Sequence, residues 1–231
     1  MIAVFVGGGV SLLVSAFGTA VLVKWLRRRG IGQPIREDGP QGHITKAGIP
    51  TMGGVAIVVA AVCGYLVGHA RVGAEFTSSG LTVMFAIVGA ALVGLADDWL
   101  KVHRRHNLGL NKRAKFVGQV AVAVAFCALA LRFSGANTEL SFTRFSSTGI
   151  GLSTPGWVVW ATILIVGFSN AVNLTDGLDG LAAGSSAFSF GCLAILGYWQ
   201  FRHLSVYHVH HGLDLALVAV AMTGACSGFL W

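Results

Sequence analysis

Charge is what this sequence has least of. Only 11% of its 231 residues are Asp, Glu, Lys or Arg, against 55% apolar residues and a mean hydropathy of +0.74. A water-soluble domain needs a charged surface, so a soluble enzyme is excluded and an integral membrane protein remains. Cysteine is scarce as well. Cys63, Cys127, Cys192 and Cys226 stand singly in apolar runs, without disulfide or ligand spacing, and read as small core hydrophobes. No tandem repeat or low-complexity tract stands out.

What is present is glycine, 32 residues of it, and long apolar runs. Runs such as GGGVS and GCLAILG read as surfaces for close helix packing, not as phosphate loops. Seven spans are expected, over 2–26, 53–68, 81–96, 116–131, 157–172, 181–199 and 213–231. Several fall short of the roughly 20 residues that a perpendicular crossing requires, so their ends must borrow flanking residues. The fold class is therefore all-α, a polytopic membrane helix bundle. The first span is too long for a signal-peptide core and its basic cluster follows the run, so it reads as a retained helix.

Basic residues set the expected orientation. All Lys and Arg except Arg71, Arg132, Arg144 and Arg202 lie at the end of the first span or in the loops after the first and third spans. By the positive-inside rule these loops are cytoplasmic and the amino terminus is outside. The net charge of +7 is then mostly a cytoplasmic surface charge, suited to anionic lipid headgroups and nucleotide phosphates. The segment 133–155 reads as an external loop. A second external stretch, HLSVYHVHH, holds His203, His208, His210 and His211, which lack an acidic or cysteine partner and lie opposite the other polar motifs.

Against this background, Asp97 and Asp98 stand side by side at the end of an apolar run, with Lys101 one helical turn on. A carboxylate at membrane depth costs several kcal/mol unless it is paired or faces water, so the pair with Lys101 reads as a site for a cation or a polyanion, the alternative being a helix end that has reached the aqueous interface. A second polar cluster, NAVNLTDGLDGLA, spaces Asn170, Asn173, Asp176 and Asp179 three residues apart. On a helix these sweep about half the circumference as a polar wall. Gly177 and Gly180 beside the aspartates leave backbone N–H groups open to a ligand. The ingredients suit phosphoryl transfer: Asp oxygens for Mg²⁺, with Lys46, Lys101, Lys112 and Lys115 as further positive charge. At the bilayer edge, one substrate could be a soluble nucleotide and the other a phosphate-bearing lipid.

The motifs also carry a resemblance. GQPIREDGPQGH at 32–43 and KAGIPTMGG at 46–54, then ADDWLK at 96–101, NLGLNKRAK at 107–115 and NAVNLTDGLDGLA at 170–182, occur in the order found in the phospho-N-acetylmuramoyl-pentapeptide transferases, the translocase I family of peptidoglycan synthesis. Together they cover most of the chain, and their order makes them more specific than any one alone. The main departure is Ile49, where the family usually has Thr.

The resemblance implies a Mg²⁺-dependent phosphoglycosyl transferase that moves phospho-N-acetylmuramoyl-pentapeptide from its UDP carrier to undecaprenyl phosphate, giving lipid I and UMP. It implies Asp97, Asp98 and Asp176 at the catalytic and metal centre, with Asn170 and Asn173 beside them. Lys46, Gly177, Leu178 and Asp179 would contact the uridine end, and Thr51, Lys101, Lys112 and Lys115 the phosphates. The implied partners are UDP-MurNAc-pentapeptide, undecaprenyl phosphate and the bilayer of the bacterial inner membrane; homodimers are common in the family, and no nucleic acid partner is expected. The family has about ten helices, a further metal-binding Asp in a GDxGS motif and a His-rich cytoplasmic motif, none of which occurs here. The expectation is a single transferase domain over 1–231, similar to the amino-terminal two thirds of the enzyme and inactive alone. Two alternatives differ in class: a polyprenyl-phosphate GlcNAc-1-phosphate transferase using UDP-N-acetylglucosamine, and an ion-coupled transporter.

Overall fold

The structure is a computed structural model, which describes residues 1–29, 52–72, 75–104, 109–140, 150–175 and 180–231. Among these residues seven long helices form: α1 (Ile2–Arg28), α2 (Gly53–Val72), α3 (Ser78–Arg104), α4 (Lys112–Phe133), α5 (Thr154–Thr175), α6 (Leu181–Arg202) and α8 (Gly212–Leu230). A single-turn helix, α7 (Leu204–Tyr207), precedes α8. All seven long helices are apolar and long enough to cross a bilayer. The chain is thus a polytopic helical membrane protein. No strand forms among the described residues; the 133–155 connection contributes one isolated antiparallel bridge, Glu139 to Gly151.

The helices extend past the apolar runs, as the short spans require. The largest extension is in α3, which continues through Asp97, Asp98 and Lys101 to Arg104. The acidic pair therefore lies within a helix, not at its mouth. The stretch with the four histidines holds α7, which the sequence pattern does not announce because one turn is too short to show a period.

Packing is inside-out relative to a soluble bundle: small residues face neighbouring helices while large apolar ones such as Phe5, Phe17, Phe168, Phe188 and Ile195 face outward. On α1, Gly7, Ser11 and Ser15 recur at four-residue spacing and are all buried. A side chain at Gly64 of α2 would collide with Ser11 and the Gly7 carbonyl, and one at Gly224 of α8 with the Gly8 carbonyl. Backbones approach closely there because nothing but hydrogen intervenes. Ser15 adds a hydrogen bond from its Oγ to the Ala225 carbonyl at 2.6 Å. The GGGVS run is thus a packing surface, and so is the Gly197 end of GCLAILG, which lies against Gly212 and Ala216.

The helix α8 is central and the most deeply covered, with Leu217, Val218, Ala221 and Ala225 buried among α1, α2 and α6. The α3, α4 and α5 helices pack in sequence beside this group, joined to it through α3. Consecutive long helices run antiparallel, so the bundle has two polar ends. One gathers the carboxyl end of α3, the start of α4 and the last turns of α5; the other gathers the ends of α2 and the starts of α3 and α8. The four cysteines are free; Cys127 and Cys226 are buried, Cys63 is partly buried, and Cys192 is exposed on α6 and so departs from the core role expected of it.

Candidate active site

The start of α4 is fixed by Asn111, whose side-chain oxygen accepts from the Arg113 backbone N–H at 3.3 Å and caps the helix. Lys112, Arg113 and Lys115 consequently occupy the first turn or just beyond it, with no acidic residue among them. Cations at a helix amino terminus oppose the macrodipole, while Asp97 and Asp98 near the carboxyl end of α3 do so with the other sign. Neither placement favours the helix itself. Each makes sense as part of a charged site shared between helices.

That site is built around Asp97, which is 7% exposed. Its Oδ1 accepts from the Leu110 backbone N–H at 2.7 Å. Its Oδ2 pairs with Lys101 Nζ at 2.8 Å and with Lys115 Nζ at 3.7 Å. Gly109 permits this, because any side chain there would overlap Asp97 Oδ1. Asp98, on the same turn but more exposed, gives Oδ1 to the same Lys101 ammonium at 3.0 Å. Lys115 then reaches α5, donating to Asn173 Oδ1 at 3.3 Å. One connected chain, Asp98–Lys101–Asp97–Lys115–Asn173, so links three helices at one end of the bundle.

Of the residues singled out from the sequence, the structure brings together Asp97, Asp98, Lys101, Lys115, Asn170 and Asn173. Lys112 is exposed one turn before Lys115. Asn170, one turn before Asn173 on α5, makes a separate set of bonds, donating from Nδ2 to Gln119 Oε1 at 3.1 Å and to the Val166 carbonyl at 2.8 Å. Lys46, Thr51, Asp176, Gly177, Leu178 and Asp179 lie outside the described residues. Gln119 and Ser169 form this second set with Asn170 and carry no charge to betray them in an apolar run.

Both Asp97 and Asp98 converge on one cation, the Lys101 ammonium. This donor set fits Mg²⁺, which takes one or two protein carboxylates and completes its shell with water and phosphate oxygens. Among the described residues no group of three or more His, Cys, Asp or Glu is placed to hold a metal. His203 closes α6, bonding the Trp199 carbonyl at 3.0 Å.

At the opposite end lies a second polar cluster that the sequence pattern did not reveal. Asp214 is 3% exposed; its Oδ2 accepts from the Thr77 backbone N–H at 2.6 Å and the Thr77 hydroxyl at 2.7 Å, and its Oδ1 lies 3.2 Å from His69 Nε2. His69 Nδ1 meets the Tyr65 carbonyl at 2.8 Å, and the ring stacks on Phe76 at 3.9 Å. No single motif contains these residues, which come from α2, the turn before α3, and α8.

Comparison with known proteins gives this architecture its class. A family model described as Glycosyl transferase family 4 matches residues 80–231, the part that holds α3 to α8 and both carboxylates. The signature 1 of phospho-N-acetylmuramoyl-pentapeptide-transferase matches residues 46–58. Proteins named phospho-N-acetylmuramoyl-pentapeptide-transferase are similar over nearly the whole chain: 47% identical in Frankia casuarinae, covering 99% of this chain and 68% of that one, 44% in Beutenbergia cavernae, covering 100% and 70%, and 42% in Streptomyces griseus, covering 97% and 67%. The chain is thus a membrane transferase of the glycosyl transferase 4 class. Within that class it belongs to the phospho-N-acetylmuramoyl-pentapeptide transferase family.

Proposed function

We propose that these residues carry phosphoglycosyl transfer from UDP-MurNAc-pentapeptide to undecaprenyl phosphate. A lipid phosphate oxygen attacks the sugar-bearing phosphorus of the diphosphate, the bond from that phosphorus to the bridging oxygen breaks, and UMP leaves with the electron pair; lipid I is the other product. The observation that carries the reading is the Asp98–Lys101–Asp97–Lys115–Asn173 chain at one end of three helices, in a member of this family.

In this reading Asp97 and Asp98 would hold Mg²⁺, with Asp176 as a third candidate, and one of them would accept a proton from, or orient, the lipid phosphate. Bound magnesium would offset the negative charge that builds on the phosphate oxygens. Lys112 and Lys115 add to the positive amino terminus of α4, and with Lys101 and Thr51 they hold the diphosphate. Asn170 and Asn173 line the same wall. Lys46, Gly177, Leu178 and Asp179 take the uridine end.

The Asp97 end is proposed to face the cytoplasm, where the nucleotide is. Lys24, Arg27, Arg28, Lys101, Lys112 and Arg113 cluster at that end, whereas Arg71, Arg132 and Arg202 lie at the other, which supports an amino terminus on the outside. The muramoyl donor is favoured over UDP-N-acetylglucosamine by the match of residues 46–58 to the muramoyl signature. Presenting both sugar nucleotides to the intact enzyme with undecaprenyl phosphate and Mg²⁺ tests this. UMP release from UDP-MurNAc-pentapeptide alone is expected; release from UDP-N-acetylglucosamine would reassign the donor. Since the relatives are about half as long again, the single domain over 1–231 is proposed to release little or no UMP when made alone, and a homodimer remains the proposed assembly.

A further inference from the structure

Beyond the residues that face substrate, the interface of α4 and α5 carries a polar rung with no charge in it. Gln119 lies one helical turn from Lys115 on the same face of α4. It is 8% exposed, in a helix otherwise apolar between its first and last turns. A buried carboxamide in such a place carries a desolvation cost that only satisfied hydrogen bonds remove. Both of its functions are used: Oε1 accepts from Asn170 Nδ2 at 3.1 Å, and Nε2 donates to Ser169 Oγ at 3.0 Å.

The next rung towards the site is Lys115 to Asn173 at 3.3 Å, and the same Lys115 lies 3.7 Å from Asp97 Oδ2. Asn170 and Asn173 are one turn apart on α5, as Gln119 and Lys115 are on α4. The two rungs therefore share their helices, and the inner one fixes the register of the outer one. An apolar pair at the inner rung would pack but could not select among registers, because dispersion contacts have little directional preference.

We infer that Gln119 is a positioning residue of the transferase: through Ser169 and Asn170 it sets where α5 presents Asn173, and so where Lys115 stands relative to Asp97 and the diphosphate. This rests on the proposed reaction above. It assigns Asn170 a role through its amide nitrogen, in addition to any contact with substrate.

Two variants test it in the intact enzyme. Gln119→Met keeps the shape and removes both hydrogen bonds. Gln119→Glu keeps an acceptor for Asn170, and the Ser169 hydroxyl can rotate to donate to the other oxygen. With both variants extracted as folded protein of wild-type melting temperature, Gln119→Met is expected to lower kcat at least about tenfold with KM for the sugar nucleotide within about twofold, the pattern of a misplaced reacting group. Gln119→Glu is expected to recover most of the loss. A second readout does not need turnover: the rate of acylation of Lys115 by an amine-reactive reagent, followed by mass spectrometry with exposed Lys112 as internal reference. Release of Lys115 from Asn173 is expected to change its ratio to Lys112 in Gln119→Met and not in Gln119→Glu. Wild-type kcat and a wild-type ratio in Gln119→Met would overturn the inference, as would equal impairment of the two variants. If wild-type enzyme releases no UMP, the transferase reading fails while the acylation ratio still decides the role of Gln119.

Discussion

Asp97 and Asp98 are neighbours in sequence but not in circumstance. Asp97 is buried and held by a backbone N–H and two ammonium groups, whereas Asp98 has a single cation and more solvent. Asp97 is thus the more preorganised of the two, and Asp98 the freer to meet an incoming ligand. The lack of a side chain at Gly109 permits that preorganisation. Gly109→Ala should displace the Asp97 carboxylate and lower turnover by about tenfold or more, with protein yield and melting temperature near wild type; an unaltered rate would show that Asp97 tolerates displacement. The acidic pair and the lysines were legible in the sequence because a charge inside an apolar run is conspicuous. Gln119 and Ser169 were not, since an uncharged polar residue on an apolar helix has no signature until its partner on another helix is known.

At the scale of elements, helix existence was legible and helix extent was not. Apolar runs end where charge begins, but the α3 backbone continues for two turns beyond, because Asp97 and Asp98 are neutralised by Lys101 within the helix. The central position of α8 is explained by Gly224 and Gly228, which let α1 approach. Gly224→Leu should destabilise the bundle by about 1 to 3 kcal/mol or more, as overpacking does, read as a lowered unfolding midpoint in detergent; an unchanged midpoint would remove the α1–α8 contact from the account. The tie between α2 and α8 is polar. His69 Nδ1 meets the Tyr65 carbonyl at 2.8 Å and its Nε2 lies 3.2 Å from Asp214 Oδ1, while Asp214 Oδ2 accepts from Thr77. Asp214→Ala leaves the Thr77 backbone N–H and hydroxyl without their acceptor and should cost about 1 to 3 kcal/mol, measured the same way; an unchanged midpoint would show that this cluster does not hold the helices together. Residues 145 positions apart in sequence, one per helix, form no motif, so this cluster could only be read from the structure.

For the whole molecule, the two polar ends divide the work. One end ties α2, α3 and α8 together through Asp214; the other gathers acids, lysines and the Asn173 carboxamide from α3, α4 and α5 into one chain of contacts. The proposed transfer is assigned to the second end, and a structural tie to the first. If two carboxylates hold magnesium there, chelation of divalent ions should abolish UMP release by the intact enzyme and added Mg²⁺ should restore it; full turnover in excess chelator would remove the metal from the mechanism.

If the acidic pair on α3 performs the transfer, UMP release from UDP-MurNAc-pentapeptide and undecaprenyl phosphate should be sensitive to Asp98→Asn in the intact enzyme, a substitution that keeps shape and removes charge. Turnover is expected to fall at least about a hundredfold, with wild-type yield and melting temperature. A near-wild-type rate in that variant would contradict that role.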